Sequence, residues 1–233
     1  MVKKESGNMA KGMLIVMEGA CDGIGKSTQY ELLRDDLIKK GYPVVTHHFP
    51  SYNTFYGASV EAYLRGDFGD ITDLSPYFIN SLYATDRACE WYLNLKKEYD
   101  EGKIILLDRY TTSSIIYQSS LIEKETEKNK FIDYVCDYEY HKLGIPKPDM
   151  VIFLEAPFDL VTTMRTNRKN YEGNSNDIHE KNLDFMKKVY DNAMDISKYL
   201  KWSSIKCYNK KGMKSIEEIH KLVLDKVITK INK

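Results

Sequence analysis

The chain has 233 residues, 42% of them hydrophobic, enough for one α/β domain with a sizeable core. Its 34 Lys plus Arg cancel 34 Asp plus Glu, which excludes a whole-molecule field drawing it to nucleic acid or an anionic membrane and favours a small substrate. The cysteines Cys21, Cys89, Cys136 and Cys207 are widely spaced, form neither a C-x-x-C pair nor a metal cluster, and read as free thiols of a reducing, cytoplasmic compartment.

Residues 1–11 are polar and read as a flexible N-terminal arm, with 12–233 as a single domain. The apolar run that follows, Met13–Met17, is too short for a signal segment or a membrane span. It reads instead as a strand, as do Val44–Phe49, Ile104–Leu107, Met150–Leu154 and, more weakly, Ser204–Tyr208. These runs lack polar alternation, as expected of strands buried on both faces of a parallel sheet.

The segments between them carry helical signals. Lys26–Lys40 turns Leu32, Leu33, Leu37 and Ile38 to one face and stops at Gly41. A helix from Pro76 to about Leu95 opens with Ser75 as N-cap and Pro76 in the first turn. Another, Thr126–Leu143, closes at Gly144 before an extended Ile145-Pro146-Lys147-Pro148. The last begins at the capping box Ser215-x-x-Glu218 and carries Ile219, Leu222, Val223 and Val227 inward. Arg165–Asp177, almost without apolar residues and rich in Asn, Gly and basic groups, follows the fourth strand and its helix and reads as a mobile surface loop; its composition alone equally allows an ordinary solvated connection.

The strongest chemical signal runs from Glu18 to Thr28, directly after a strand and directly before a helix. Gly19, Gly23 and Gly25 permit a backbone that turns N–H groups toward one anion, the helix N-terminus adds its positive end, Lys26 reaches the outer phosphates, and Ser27 can hold Mg²⁺. Asp22, Ile24 and Thr28 complete the predicted ATP-binding loop. Five residues separate Gly19 from Gly25 where a phosphate loop has four between its glycines. Either Ala20 replaces the first glycine or the loop carries one extra residue.

Several further stretches resemble the thymidylate kinase family: Asp22-Gly23-x-Gly25-Lys26-Ser27-Thr28, Phe49-Pro50, Tyr83-Ala84-Thr85-Asp86-Arg87, Asp108-Arg109-Tyr110, and Pro146-Lys147-Pro148-Asp149 followed by Val151-Ile152-Phe153-Leu154. They lie in the family's order and span most of the chain from about Met13. The resemblance implies an α/β P-loop fold, a five-stranded parallel sheet flanked by helices with a mobile lid at about 165–177. It implies a kinase that moves the γ-phosphoryl group of ATP to dTMP with Mg²⁺ as cofactor, as a homodimer whose partners are these two small substrates.

Roles then follow by matching position. Lys26 would clamp the donor and Arg109 the acceptor phosphate, with Asp108 helping to place Mg²⁺. Tyr83 would stack on the base and Arg87, one turn later, donate to its O4, although Leu82, Tyr83 and Trp91 also suit a plain core stripe. Asp22 would face the acceptor sugar. Phe49, Ser113, Ser114, Tyr117 and Gln118 match positions lining the acceptor pocket. Ser51, Tyr52 and Asn53 stand where many members carry an arginine after Phe-Pro, and Gly23 stands where some carry one in the phosphate loop. The cation for the transferred phosphoryl group is therefore expected from Arg165 or Arg168, beside Lys169, with Tyr171 near the nucleotide. The rival readings are a deoxynucleoside kinase or a kinase for another monophosphate, and, from another class, a slowly hydrolysing nucleotide switch.

Overall fold

The computed structural model describes the backbone of residues 11–169 and 183–233 and the side chains of all of these except 164–169. Five parallel strands form one sheet: β1 (Met13–Gly19), β2 (Val44–His48), β3 (Ile104–Asp108), β4 (Met150–Glu155) and β5 (Ser203–Lys206), in the order β2-β3-β1-β4-β5. A small antiparallel pair, β6 (Tyr208–Asn209) and β7 (Gly212–Met213), follows.

Both faces of the sheet are covered, which is why its central strands read as unbroken apolar runs. The helices are α1 (Lys26–Lys39), α2 (Ala58–Arg65), α3 (Pro76–Glu90), α4 (Lys96–Asp100), α5 (Thr111–Ser119), α6 (Glu125–Cys136), α7 (Phe158–Lys169), α8 (Leu183–Tyr199) and α9 (Ile216–Ile231). Ile15 and Met17 of β1 belong to the same core as Leu33 and Leu37 of α1 and Val223 and Val227 of α9. The alternate residues Leu14 and Val16 pack on the other side with Trp91, Leu95 and Tyr99.

The fold corrects several sequence expectations. The β2 ladder ends at His48 rather than Phe49. The helix begun at Pro76 passes through a π-helical turn, Trp91–Leu95, and continues as α4 to Asp100. The expected Thr126–Leu143 helix is α up to Cys136 and π-helical over Asp137–Lys142. Ile38 and Leu222, assigned to buried faces, are 52% and 38% exposed; α1 and α9 contact each other as well as the sheet, and each uses only a narrow stripe for burial. The segment expected to be a loop from Arg165 onward is still helix through Lys169, because Thr, Arg, Asn and Lys can continue a helix whose preceding turn is already docked. Residues 170–177 of that expected loop lie outside the described residues, as does the arm up to residue 10. The capping box at Ser215 is present with both of its reciprocal hydrogen bonds.

Candidate active site

Strands β1, β2 and β3 end side by side, and their C-terminal residues form the floor of the site, at the edge where open parallel sheets bind ligands. The phosphate loop leaves β1 and enters α1 without interruption. Its left-handed positions are Gly23 (φ 90°) and Gly25 (φ 95°), where a side chain would be strained. Position 20 is not among them, and the Ala20 N–H donates to Leu154 O at 2.9 Å, extending the β1–β4 ladder. Gly19 is needed for another reason: a Cβ there would sit 2.9 Å from Ile24 Cγ2.

A cavity of about 220 Å³ opens over this loop, lined by Asp22, Gly23, Gly25, Lys26, Ser27 and Thr28 together with Asp108 and Arg109. The Lys26 ammonium donates to one oxygen of Asp108, and His48 Nδ1 lies 3.1 Å from the other. Burial and then the Arg109 charge push Lys26 down to about 7, against Glu18 and Asp22, which pull it up.

Beside it lies a second cavity of about 230 Å³, lined among others by Phe49, Tyr52, Tyr83, Arg87, Tyr110 and Gln118. The two cavities share Asp22, His48 and Arg109. Arg109 follows β3 in a left-handed conformation, φ 67°, uncommon for a residue with a side chain and a mark of functional backbone. It donates to Asp22 and, at 3.4 Å, to the Tyr117 hydroxyl, with its guanidinium 5.5 Å over the Tyr117 ring.

Helix α5 brings four predicted residues onto one wall, since Ser113, Ser114, Tyr117 and Gln118 fall at spacings of one and four. The buried carboxylate of Glu18, 0% exposed, accepts from Thr112 Oγ at 2.9 Å and Ser113 Oγ at 2.6 Å, tying the first turn of α5 to β1. That places a negative group at a helix N-terminus, where the helix dipole favours it. Gln118 Oε1 is buried and has no hydrogen-bond partner among the described residues, an acceptor awaiting a donor.

The structure therefore gathers Asp22, Gly23, Gly25, Lys26, Ser27, Thr28, Asp108 and Arg109 at one cavity, and Phe49, Tyr83, Arg87, Ser113, Ser114, Tyr117 and Gln118 at its neighbour. Gly19 and Ile24 pack beneath the loop, Ile24 only 2% exposed. Arg165 and Arg168 lie on the last turns of α7, their side chains outside the described set, and Tyr171 is outside it altogether. Sequence reading missed Glu18, His48, Tyr52 and Tyr110 as site residues. For His48 the available signal was its place at the end of a strand next to Phe49-Pro50.

The thymidylate kinase family model matches residues 17–223. A thymidylate kinase of Mycobacterium tuberculosis is 31% identical over 181 residues, 76% of this chain and 82% of that protein. One from a Thermoanaerobacter species is 30% identical over 224 residues, 93% of this chain and 98% of the relative. The thymidylate kinase of Schizosaccharomyces pombe is 27% identical over 221 residues, 93% of this chain and 92% of its own length.

Proposed function

The chain belongs to the thymidylate kinase family, and from that premise we propose that it transfers the γ-phosphoryl group of ATP to dTMP, giving dTDP and ADP. The observation that carries the reading is the junction of the two cavities at Asp22, His48 and Arg109. A donor on the phosphate loop and an acceptor in the neighbouring pocket would meet at one arginine, which is what in-line transfer between two anionic nucleotides requires.

Lys26 would clamp the donor phosphates and Arg109 the acceptor phosphate, each a fixed cation facing charge that spreads over the transferred oxygens. Asp22 would accept from the 3′-hydroxyl of the acceptor sugar. Tyr83 would stack on the ring. The orphan acceptor Gln118 Oε1 and the donor Arg87 are complementary to the N3–H and O4 edge of thymine; cytosine reverses both polarities. With glycine at position 23, Arg165 and Arg168 of α7 would supply the remaining cation, with Tyr171 beside the nucleotide.

The site suits Mg²⁺. Ser27 and Asp108 offer hard oxygen donors to the cavity that would take the phosphates, the donor type that such an ion takes alongside phosphate and water. Bound there, it would neutralise charge on the donor phosphates.

No helix among the described residues is long and apolar enough to cross a membrane. The four cysteines are free thiols, which supports a reducing, cytoplasmic compartment. Tyr77, Phe78 and Leu93 are 41%, 38% and 60% exposed on α3 and its π-helical extension; exposed apolar side chains of this kind would be covered by a second copy in a homodimer.

The test is ADP release measured across dTMP, dUMP, dCMP, dGMP and thymidine. The expected result is the highest kcat/KM with dTMP. A preference for thymidine would replace this reading with a deoxynucleoside kinase.

A further inference from the structure

Arg87 and Glu139 are 1% and 0% exposed, a fully buried ion pair joining residues 52 apart in sequence. Such a pair rarely adds net stability, because desolvating both charges costs about as much as their attraction returns. Its geometry serves another purpose. Nε donates to Glu139 Oε2 and Nη2 to Oε1, both at 2.7 Å, so the carboxylate grips one edge of the guanidinium side-on. The second Nη2 hydrogen goes to Ser114 Oγ at 2.9 Å, and Nη1 reaches Tyr110 O at 3.4 Å.

A guanidinium has five N–H hydrogens and no acceptor. Four are committed to these partners. One hydrogen on Nη1 remains without a partner among the described residues, and Arg87 lines the acceptor cavity. Glu139 thus does two things at once: it neutralises a cation that would otherwise face an uncharged base, and it fixes the plane in which the single remaining donor lies. The residue comes from the π-helical stretch Asp137–Lys142, a widened turn of the kind that re-aims side chains at functional sites. The adjacent Tyr140 also faces inward, its hydroxyl 2.6 Å from Thr111 Oγ at the start of α5.

We infer that Glu139 is a specificity-determining positioning residue: without touching the base, it holds Arg87 so that the acceptor site offers one directed donor and accepts a ring carbonyl rather than a ring amine. This rests on the proposed pyrimidine monophosphate acceptor. Replacing Glu139 by Gln presents an amide N–H₂ to a guanidinium N–H, donor against donor, and releases the plane of the arginine.

The experiment is steady-state kinetics of wild type, Glu139→Gln, Glu139→Asp, Arg87→Met and the double variant Arg87→Met/Glu139→Gln, each with dTMP, dUMP and dCMP, alongside thermal melting. In Glu139→Gln, kcat/KM for dTMP and dUMP falls together by at least about 10-fold, chiefly through KM, as loss of a charge-assisted buried hydrogen bond implies. The dCMP value changes little, so discrimination narrows by the same factor, and KM for ATP holds. In the Arg87→Met background the Glu139→Gln change narrows discrimination no further, since its effect runs through Arg87. Glu139→Asp keeps the charge balance with a shorter reach and narrows discrimination less; it carries the test if the Gln variant does not fold. An equal fall for dTMP, dCMP and ATP would mark Glu139 as merely structural and overturn the inference. So would full discrimination in a folded Glu139→Gln or Glu139→Asp variant. Wild-type protein using dCMP as well as dTMP would instead remove the thymine reading itself.

Discussion

Lys26 illustrates how a residue's surroundings set its chemistry. Its charge is disfavoured by burial and by Arg109, which bring it down to about 7. Anionic phosphates arriving beside it favour the charged form and raise its pKa, so between pH 7 and 8 nucleotide binding takes up a proton. Calorimetric titration with ADP in two buffers of different ionisation enthalpy should report that uptake, and Lys26→Met should abolish it. In turnover, Lys26→Ala should lower kcat at least about 100-fold, the loss typical of one preorganised charge at a transition state, with melting unchanged. A variant with near-wild-type kcat would remove the lysine from the chemistry. Arg109 is held differently: its left-handed φ of 67° aims the side chain across both cavities, a conformation that no motif in the sequence displays.

At the scale of elements, β2 carries two histidines whose protonated forms the fold disfavours. Burial, then Lys26 and Arg109, bring His48 down to about 4; burial lowers His47, opposed by Glu90 and Asp86. Both folded values lie below the ordinary histidine range near 6.5, so on acidification the unfolded chain binds protons first. Stability is whole above about 6.5 and declines as pH falls from there toward about 4. Burial raises Asp86, which works in the opposite sense at lower pH. Urea midpoints should therefore drop from pH 7 to pH 5, and His48→Asn should flatten that dependence; the change will be modest because the His48 side chain is 48% exposed and screened by solvent. An unaltered slope in the variant would assign the effect to His47. Helix α5 shows the limit of local signals. Its Thr111-Thr112-Ser113-Ser114-Ile115-Ile116 opening has weak intrinsic helix preference, and what supports it is Glu18, a residue from a distant strand.

For the whole molecule, the sheet brings the ends of β1, β2 and β3 together and leaves two cavities meeting at three residues. In the proposed reaction a further cation would come from outside the phosphate loop, and α7 continues to Lys169 with Arg165 and Arg168 in its last turns. Replacing both arginines by Ala should lower kcat far more than it raises KM for dTMP, because a contact made mainly in the transition state appears in kcat. A double variant with wild-type kcat and only weakened dTMP affinity would make them binding residues. The exposed side chains of Tyr77 and Phe78 belong to this scale too: Phe78→Asp should shift the sedimentation of the proposed homodimer toward a monomer, and an unchanged profile would place any dimer interface elsewhere.

Much of this was legible in the chain itself. Strands buried on both faces leave unbroken apolar runs, a phosphate loop leaves glycines where the backbone turns left-handed, and the capping box at Ser215 is written in four residues; each is a local requirement, so each has a local signature. The partners of Arg87 are not local. Its position one turn after Tyr83 marked it as a candidate donor, but Glu139 lies 52 residues away, within a π-helical stretch that no apolar periodicity announces, and Ser114 reaches it from α5, whose first turn Glu18 holds. Motif order along the chain determined the chemistry to expect; which hydrogen atoms remain free to meet a substrate was decided by tertiary packing, because hydrogen-bond satisfaction is settled by all the elements that close around a buried group.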